Sequence, residues 1–339
     1  MIITQTPFRM SFFGGGTDME SFFIKHGGAV LSTTFDKYCY VYVRHLPRFF
    51  DYSTELSYSR TERVTSIEDI EHPAIRNAMK MLDMHEIRLT YEADLPARSG
   101  LGTSSSFAVG MLNAFYALKG KYADKKKLAD EAIYLERELC EEAGGWQDQI
   151  AASFGGFNRI NFNTDGTYDV LPVIISPERK KNLNDNLMMF FTGFTRFSSD
   201  VQKANAGTKE TQEAKEKRYL EMLSLVDKAE QILTDKNTDL DNFGRLLDHT
   251  WKLKKQTGSA VSTNSIDALY EKGMQAGALG GKLLGAGGGG FLVFYVQPEY
   301  QEAVKEAMKE LMYIPFRFED GGTRVIHYTP ETYVPLEDK

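Results

Sequence analysis

Three glycine-rich segments, set far apart, constrain this chain more than any other feature. They are TPFRMSFFGGGTD at residues 6–18, LPARSGLGTSSS at 95–106 and GGKLLGAGGGG at 280–290. Glycine lets a backbone take positive φ and come close to a ligand or another backbone. The middle segment reads as a phosphate cradle: a tight glycine turn, a row of hydroxyl residues, then an apolar helical stretch. A helix N-terminus presents unpaired N–H groups and partial positive charge, which suits a polyphosphate. The third segment holds a formal G-x-G-x-x-G at Gly285, Gly287 and Gly290, but its glycines precede the strand-like run FLVFYV. A dinucleotide fingerprint follows a strand and opens a helix. A Walker A loop is also absent, because Lys282 follows Gly281 while Leu283 fills the Ser/Thr position. Together the segments imply nucleotide-dependent phosphoryl transfer on a frame other than the P-loop.

The bulk properties narrow the class. At 339 residues and 42% hydrophobic content the chain can bury a large core, in two lobes. A net charge of −7 argues against a nucleic-acid partner, which calls for a basic footprint. Cys39 and Cys140 are the only cysteines, with no CxxC spacing, so a reduced, cytoplasmic protein without a thiolate metal site is expected. The start, MIITQTPFRM, lacks a signal-peptide pattern, and no run is long enough for a bilayer, so no membrane partner is expected.

Period-2 patterns predict a strand over 2–11 interrupted by Pro7, paired strands over 29–34 and 37–44, and a strand around 87–91. Helical spacing predicts helices over 73–83, 103–119 and 125–143. Strands are expected over 157–163 and 170–175. The polar stretch SPERKKNLNDN at 176–186 suggests the lobe boundary, dividing the chain into 1–185 and 186–339. A strand over 187–192 opens the second lobe. A charged helical region from about 198 to 236 follows, with interleaved acids and bases that suit a solvated face. Two further helices, the third glycine segment, a strand over 291–296, a helix and two short strands complete the chain.

The chemistry-bearing candidates gain weight from this context. One helix cap needs one hydroxyl, yet Thr103, Ser104, Ser105 and Ser106 run together behind Gly100, Leu101 and Gly102. A hydroxyl at such a helix start can also ligate Mg²⁺. Asp148, in GGWQDQ, and Glu136 would each be an ordinary cap or surface charge if met alone. Phosphoryl transfer, however, needs a carboxylate at the attacking hydroxyl and an anionic ligand for the metal. It also needs fixed positive charge, which Arg9 can supply. Arg98 and Arg196 are candidates for a bidentate contact to a phosphate on the acceptor. The six histidines are scattered, without metal-ligand or triad spacing.

The three motifs, in this order, resemble the GHMP kinase superfamily, and the resemblance covers essentially the whole chain. It implies an α+β fold of two lobes, the first similar to ribosomal protein S5 domain 2 and the second ferredoxin-like, with the active site between them. GGGTD at 14–18 stands where galactokinases carry a glutamate and a histidine before the threonine and aspartate. GGWQDQIAASFGGFN, TGFTR, WKLKK and GGKLLGAGGGGF are similar to the heptose 7-phosphate kinase branch, which phosphorylates the anomeric hydroxyl. By that resemblance Asp148 is the catalytic aspartate and Arg9 the cation near the transferred phosphate. Glu136 and Ser104 hold Mg²⁺, and residues 100–106 hold the ATP phosphates. Gly15, Gly16, Thr17 and Asp18 meet the sugar, and Gly287 and Gly288 in the third motif close against it. The cofactors implied are ATP and Mg²⁺, and the partner a small sugar phosphate. Loss of two side chains at Gly15 and Gly16 speaks against galactose and leaves space for a larger sugar.

Overall fold

The computed structural model describes residues 1–47, 49–97, 99–193, 212–258, 261–285 and 287–331. Two sheets divide it. The first has nine strands along the path β13-β1-β2-β5-β3-β4, with β6, β7 and β12 attached through β2. Its spine is β2 (Gly28–His45). One edge of β2 pairs antiparallel with β1 (Ile2–Phe13). The other edge takes β6 (Phe157–Phe162), then β12 (Phe318–Glu319), then β5 (Ile87–Ala93). The small strands β3 (Thr54–Ser57) and β4 (Thr61–Val64) extend the β5 side, and β7 (Tyr168–Pro172) extends β6.

The sequence suggested two paired strands over 29–44, but the structure has one strand of 18 residues. The reason lies across the ladder. Pro7 pairs with Tyr38 and Phe8 with Phe35, so the register slips by two residues on β2 at that point. Proline has no N–H to give the ladder, and a bulge accommodates that loss without ending the strand. Asp36 N–H finds the Arg317 carbonyl at 2.9 Å instead.

Helix α1 (Glu20–His26) follows the first glycine turn, and α2 (Pro73–Met81) packs near the β3–β4 hairpin. Helix α3 (Thr103–Leu118) crosses β1 and β2. It is buried nearly all round, as a helix between sheet and further helices must be. Helix α4 (Lys125–Tyr134) stops short of the expected 143, because residues Leu135–Leu139 wind as a π-turn. Helix α5 (Gln147–Phe154) completes this layer. The polar stretch after Ser176 is itself a helix, α6 (Pro177–Asp185), with Ser176 as N-cap and Pro177 at its first position.

The second sheet has the order β11-β8-β10-β9, all antiparallel. It comprises β8 (Leu187–Phe191), β9 (Gly280–Leu283), β10 (Phe291–Tyr295) and β11 (Met312–Ile314). Helices α7 (Gln212–Thr234), α8 (Asp241–Lys255) and α9 (Asn264–Gln275) connect β8 to β9, and α10 (Gln301–Ala307) connects β10 to β11. Counted within the lobe this is a βαββαβ unit, the ferredoxin-like arrangement. The β9 strand lies inside the third glycine motif, where sequence pattern gave no strand. Helix α7 is not solvated all round: Met222, Leu225, Val226, Ala229 and Leu233 form a buried stripe at helical spacing.

The lobes share one core. Phe12 and Phe13 of β1 meet Phe243 of α8 edge-on, with centroids 5.2 and 5.1 Å apart. After β11 the chain returns to the first sheet, where β12 pairs with β2 and β13 (Arg324–Tyr328) with β1. No helix among the described residues is long and apolar enough to cross a membrane.

Candidate active site

β1 carries Arg9 inward, and α3, α5 and the third glycine motif meet around it. Arg9 is 5% exposed. Its Nε donates to Asp148 Oδ1 at 2.8 Å, one terminal nitrogen to Asp148 Oδ2 at 2.9 Å and the other to the Gly100 carbonyl at 2.5 Å. A bidentate guanidinium–carboxylate pair fixes both groups in plane. Asp148 sits in the first turn of α5, where the helix dipole favours a negative charge. Its side chain remains 25% exposed, so the pair is closed at its arginine end and open at its carboxylate end.

Gly102 forms the roof. It precedes α3 with φ +72°, and a Cβ there would stand 3.3 Å from Arg9 Cγ and 3.4 Å from Asp148 Oδ2. The Arg9 N–H donates to the Leu101 carbonyl at 3.2 Å, binding β1 to the loop. The hydroxyl row divides its tasks. Ser106 Oγ donates to the Pro7 carbonyl at 3.0 Å and Thr103 is buried, whereas Ser104 is exposed at the helix start. Ser104 and Ser105 donate to the two oxygens of Glu136, at 2.6 and 2.7 Å. Gln149 also donates to Glu136, which is 1% exposed. The π-turn after α4 rotates this carboxylate inward. A helix widened by one residue is a common device at functional sites.

Asp18 lies beside this pair, 3% exposed. It accepts from Gly16 N–H at 2.8 Å and Gln147 N–H at 3.3 Å. Burial, and secondarily the Asp148 charge, push its pKa up from the usual carboxylate value. Gly145 is required here, because a Cβ would sit 1.9 Å from Asp18 Oδ2. Gly15 has room beside it, with only the Gln147 amide nitrogen 3.8 Å from where a Cβ would stand, whereas a Cβ on Gly16 would lie 2.9 Å from the Tyr219 ring, so Tyr219 fills the space expected to be open there. Thr17 faces the other way: its hydroxyl lies 2.8 Å from the Gly14 carbonyl and 2.9 Å from the Ala29 carbonyl.

The third motif meets the loop backbone to backbone. A Cβ on Gly285 would lie 2.3 Å from Gly100 Cα, and one on Gly290 2.1 Å from the Ser99 carbonyl oxygen. Gly287 and Gly288 turn instead to Val261, whose carbonyl accepts from Gly288 N–H at 3.1 Å. Arg98 and Arg196 lie outside the described residues. Two cations were given no site role by the sequence. Lys282 of β9 is 3% exposed and donates to the Ser11 and Phe12 carbonyls at 2.8 Å, and burial pushes its pKa down. Lys254 of α8 donates to the Gly285 carbonyl, and burial, with Arg9 second, lowers its pKa to about 8. Its signal was present: Phe243, Leu247, Trp251 and Lys254 share one helical stripe, and the other three are fully buried. Cavities of about 460 and 410 Å³ lie elsewhere, beside Ile232 and Arg245 and beside Phe157 and Val173. They are lined by no residue of the Arg9–Asp148 pair.

The geometry has counterparts in known proteins. The N-terminal domain of GHMP kinases matches residues 70–156 and the C-terminal domain matches residues 229–314. The D-glycero-alpha-D-manno-heptose 7-phosphate kinase of Campylobacter jejuni is 30% identical, over 95% of this chain and 98% of its own. The chain belongs to the GHMP kinases. As a GHMP kinase it is an ATP-dependent phosphotransferase with an alcohol group as acceptor. An L-fucokinase/L-fucose-1-P guanylyltransferase of Bacteroides fragilis is 29% identical over 65% of this chain and 23% of its own. A crystal structure of a D-glycero-D-manno-heptose 1-phosphate kinase from Bacteroides thetaiotaomicron shares the fold. Its TM-score is 0.77 at 23% identity, covering 98% of this GHMP kinase and all of that chain. The two-lobed α+β architecture implied by the motifs is therefore the one found.

Proposed function

We propose that this GHMP kinase is a sugar kinase that phosphorylates the anomeric hydroxyl of D-glycero-D-manno-heptose 7-phosphate, giving the 1,7-bisphosphate and ADP in the cytoplasm. The product is a step towards nucleotide-activated heptose. The observation that carries this reading is the Arg9–Asp148 pair under Gly102 and beside Asp18. It stands in a chain of which 95% aligns with a heptose 7-phosphate kinase.

The residues divide the work as follows. The loop at 100–106 and the start of α3 receive the ATP phosphates. The anomeric oxygen forms the new bond to the γ-phosphorus as the bond to the β,γ-bridging oxygen breaks. The hydroxyl proton passes to the open edge of the Asp148 carboxylate. Arg9 has five N–H groups, three of them engaged with Asp148 and Gly100, and the other two face developing phosphoryl charge. Asp18, whose carboxylate has its room from Gly145, accepts from sugar hydroxyls beside Gly15. Arg98 and Arg196 remain the candidates for the acceptor's own phosphate.

The residues also fit Mg²⁺. Glu136, Ser104 and Ser105 are hard oxygen donors, and the buried Gln149 Oε1 beside them has no hydrogen-bond partner. Glu136 and Ser104 would hold the ion, which when bound offsets charge on the β- and γ-phosphates. Most of the rate then comes from positioning and preorganised charge.

The test is ADP release with Mg-ATP against heptose 7-phosphate, mannose 6-phosphate, free mannose, fucose, galactose and mevalonate. A charge-assisted contact to a phosphate is worth roughly 1.5–3 kcal/mol, so the heptose phosphate should exceed the free sugars by about 10- to 100-fold in kcat/KM. A free sugar as the best acceptor would overturn the phosphate assignment and leave the transfer chemistry in place.

A further inference from the structure

Lysines in the last turn of a helix usually face solvent and complement its dipole. Helix α8 ends with Lys252, Lys254 and Lys255. Lys252 pairs with Asp248 at 2.7 Å and Lys255 with Asp267 at 3.0 Å. Lys254 instead turns inward, along the stripe of Phe243, Leu247 and Trp251. Placing an ammonium there costs hydration, which an apolar residue at that position would avoid.

Its surroundings are those of the transfer centre. Nζ donates to the Gly285 carbonyl. Gly285 rests on Gly100, whose carbonyl accepts from Arg9, which holds Asp148. The charged groups facing Lys254 are Arg9, Asp18, Asp148 and Lys282. That makes three basic and two acidic side chains gathered at the transfer centre. Lys282 is turned to the Ser11 and Phe12 carbonyls and Arg9 to Asp148, whereas Lys254 has three N–H donors and one described acceptor. No carboxylate lies within ion-pair distance of it among the described residues.

We infer that Lys254 is a catalytic residue of this kinase, contributed by the second lobe, whose ammonium joins Arg9 in contacting the γ-phosphoryl group in flight. This rests on the phosphoryl transfer proposed above. The ammonium keeps its proton throughout, and the anomeric proton still goes to Asp148. Because the same group holds the Gly285 carbonyl, the seating of the third motif on the phosphate loop and the placing of the cation are one event. A merely structural Lys254 would need only that carbonyl bond.

The experiment compares Lys254→Met and Lys254→Arg with the unaltered kinase. ADP release is followed at saturating Mg-ATP, with the acceptor that the unaltered enzyme turns over best, from pH 6.5 to 10. The expected result for Lys254→Met is a fall in kcat of about 10²–10³-fold, typical of a lost charge-stabilising donor, with KM for ATP within about threefold. Lys254→Arg should recover at least about tenfold, since a guanidinium keeps the charge. The Lys254 ammonium is charged below its pKa of about 8 and loses its proton above it, so kcat of the unaltered enzyme should decline above that pH. In Lys254→Arg the decline should move to higher pH. A Lys254→Met enzyme with kcat within threefold of normal, or an unchanged alkaline limb in Lys254→Arg, would overturn the inference. Slow acceptor-free hydrolysis of ATP gives a second readout. If every sugar fails while Lys254→Met still lowers that hydrolysis, the substrate assignment falls and the role of Lys254 stands. Unaltered hydrolysis in Lys254→Met sinks the role itself.

Discussion

Asp148 carries two duties that pull against each other. Arg9 holds both its oxygens, which fixes the carboxylate in place, while the open edge must still meet a hydroxyl proton. Replacing it with asparagine preserves shape but removes the charge, and leaves the buried Arg9 cation facing an amide. Asp148→Asn should therefore lower kcat by about 10³-fold or more, with ATP affinity by calorimetry changed only a few-fold. A kcat near normal would take the proton from Asp148. Arg9, Ser104 and Asp148 were legible as candidates because each stands in a glycine-containing motif, whereas Glu136 came only from the family resemblance. Gly145 and Gln149 were not legible. The demand on Gly145 is set by Asp18, remote in sequence, and that on Gln149 by Glu136. Such requirements exist only once the fold has brought the partners together.

Elements were legible where one period dominated. Helix α3 was expected over 103–119 and spans Thr103–Leu118. Strand β2 and the π-turn after α4 departed from expectation because a residue elsewhere decides them: Pro7 opposite β2, and the Ser104, Ser105 and Gln149 donors that draw Glu136 inward. The loop between β5 and α3 invites a comparison at this scale. Gly100 (φ +83°) and Gly120 (φ +65°) both adopt a conformation that alanine disfavours, by about 1–2 kcal/mol. At Gly120 a Cβ meets nothing within 4 Å, while at Gly100 it would lie 2.4 Å from the Leu284 carbonyl oxygen. Gly120→Ala should lower the melting temperature modestly and leave ATP affinity intact. Gly100→Ala should lower both, with ATP binding weakened at least about tenfold, because the loop cannot seat against the third motif. Equal effects from the two substitutions would mean that the Gly100–Gly285 contact has no bearing on the phosphate site.

At the scale of the whole molecule, motif order disclosed two lobes, but not that they share a core or that β12 and β13 return to the first sheet. Those strands are short, and β13 is largely exposed at a sheet edge, so it lacks the alternation that marks a half-buried strand. Tyrosine–carboxylate bonds help hold such remote pieces together. Tyr38 of β2 donates to Glu319 of β12, Tyr168 of β7 to Asp130 of α4 at 2.7 Å, and Tyr270 of α9 to Asp248 of α8 at 2.8 Å. Burial first, and then the carboxylate, raises each phenol well above its ordinary value of 10.0. Tyr42, Tyr58, Tyr91, Tyr116 and Tyr295 are raised as well, chiefly by burial, and so are the thiols of Cys39 and Cys140. A group whose folded pKa exceeds its unfolded one stabilises fully below the unfolded pKa, and that stability is lost as pH rises towards the folded value. Lys254 has the opposite sign: its pKa is lower in the fold, so stability rises with pH between about 8 and 10.5. Lys282, lowered by burial, acts in the same direction. Two lysines against eight phenols and two thiols predict a melting temperature that holds or rises slightly from pH 8 to about 9, where the thiols begin to oppose the lysines, and falls steeply beyond 10. Activity, tied to the Lys254 ammonium, should already be declining across the range where the fold is intact. Melting curves from pH 7 to 11 test this, with Tyr270→Phe expected to make the alkaline fall shallower by about one proton's worth of slope. A melting temperature constant to pH 11, or an identical slope in Tyr270→Phe, would show that these phenols ionise in the fold as freely as in the open chain.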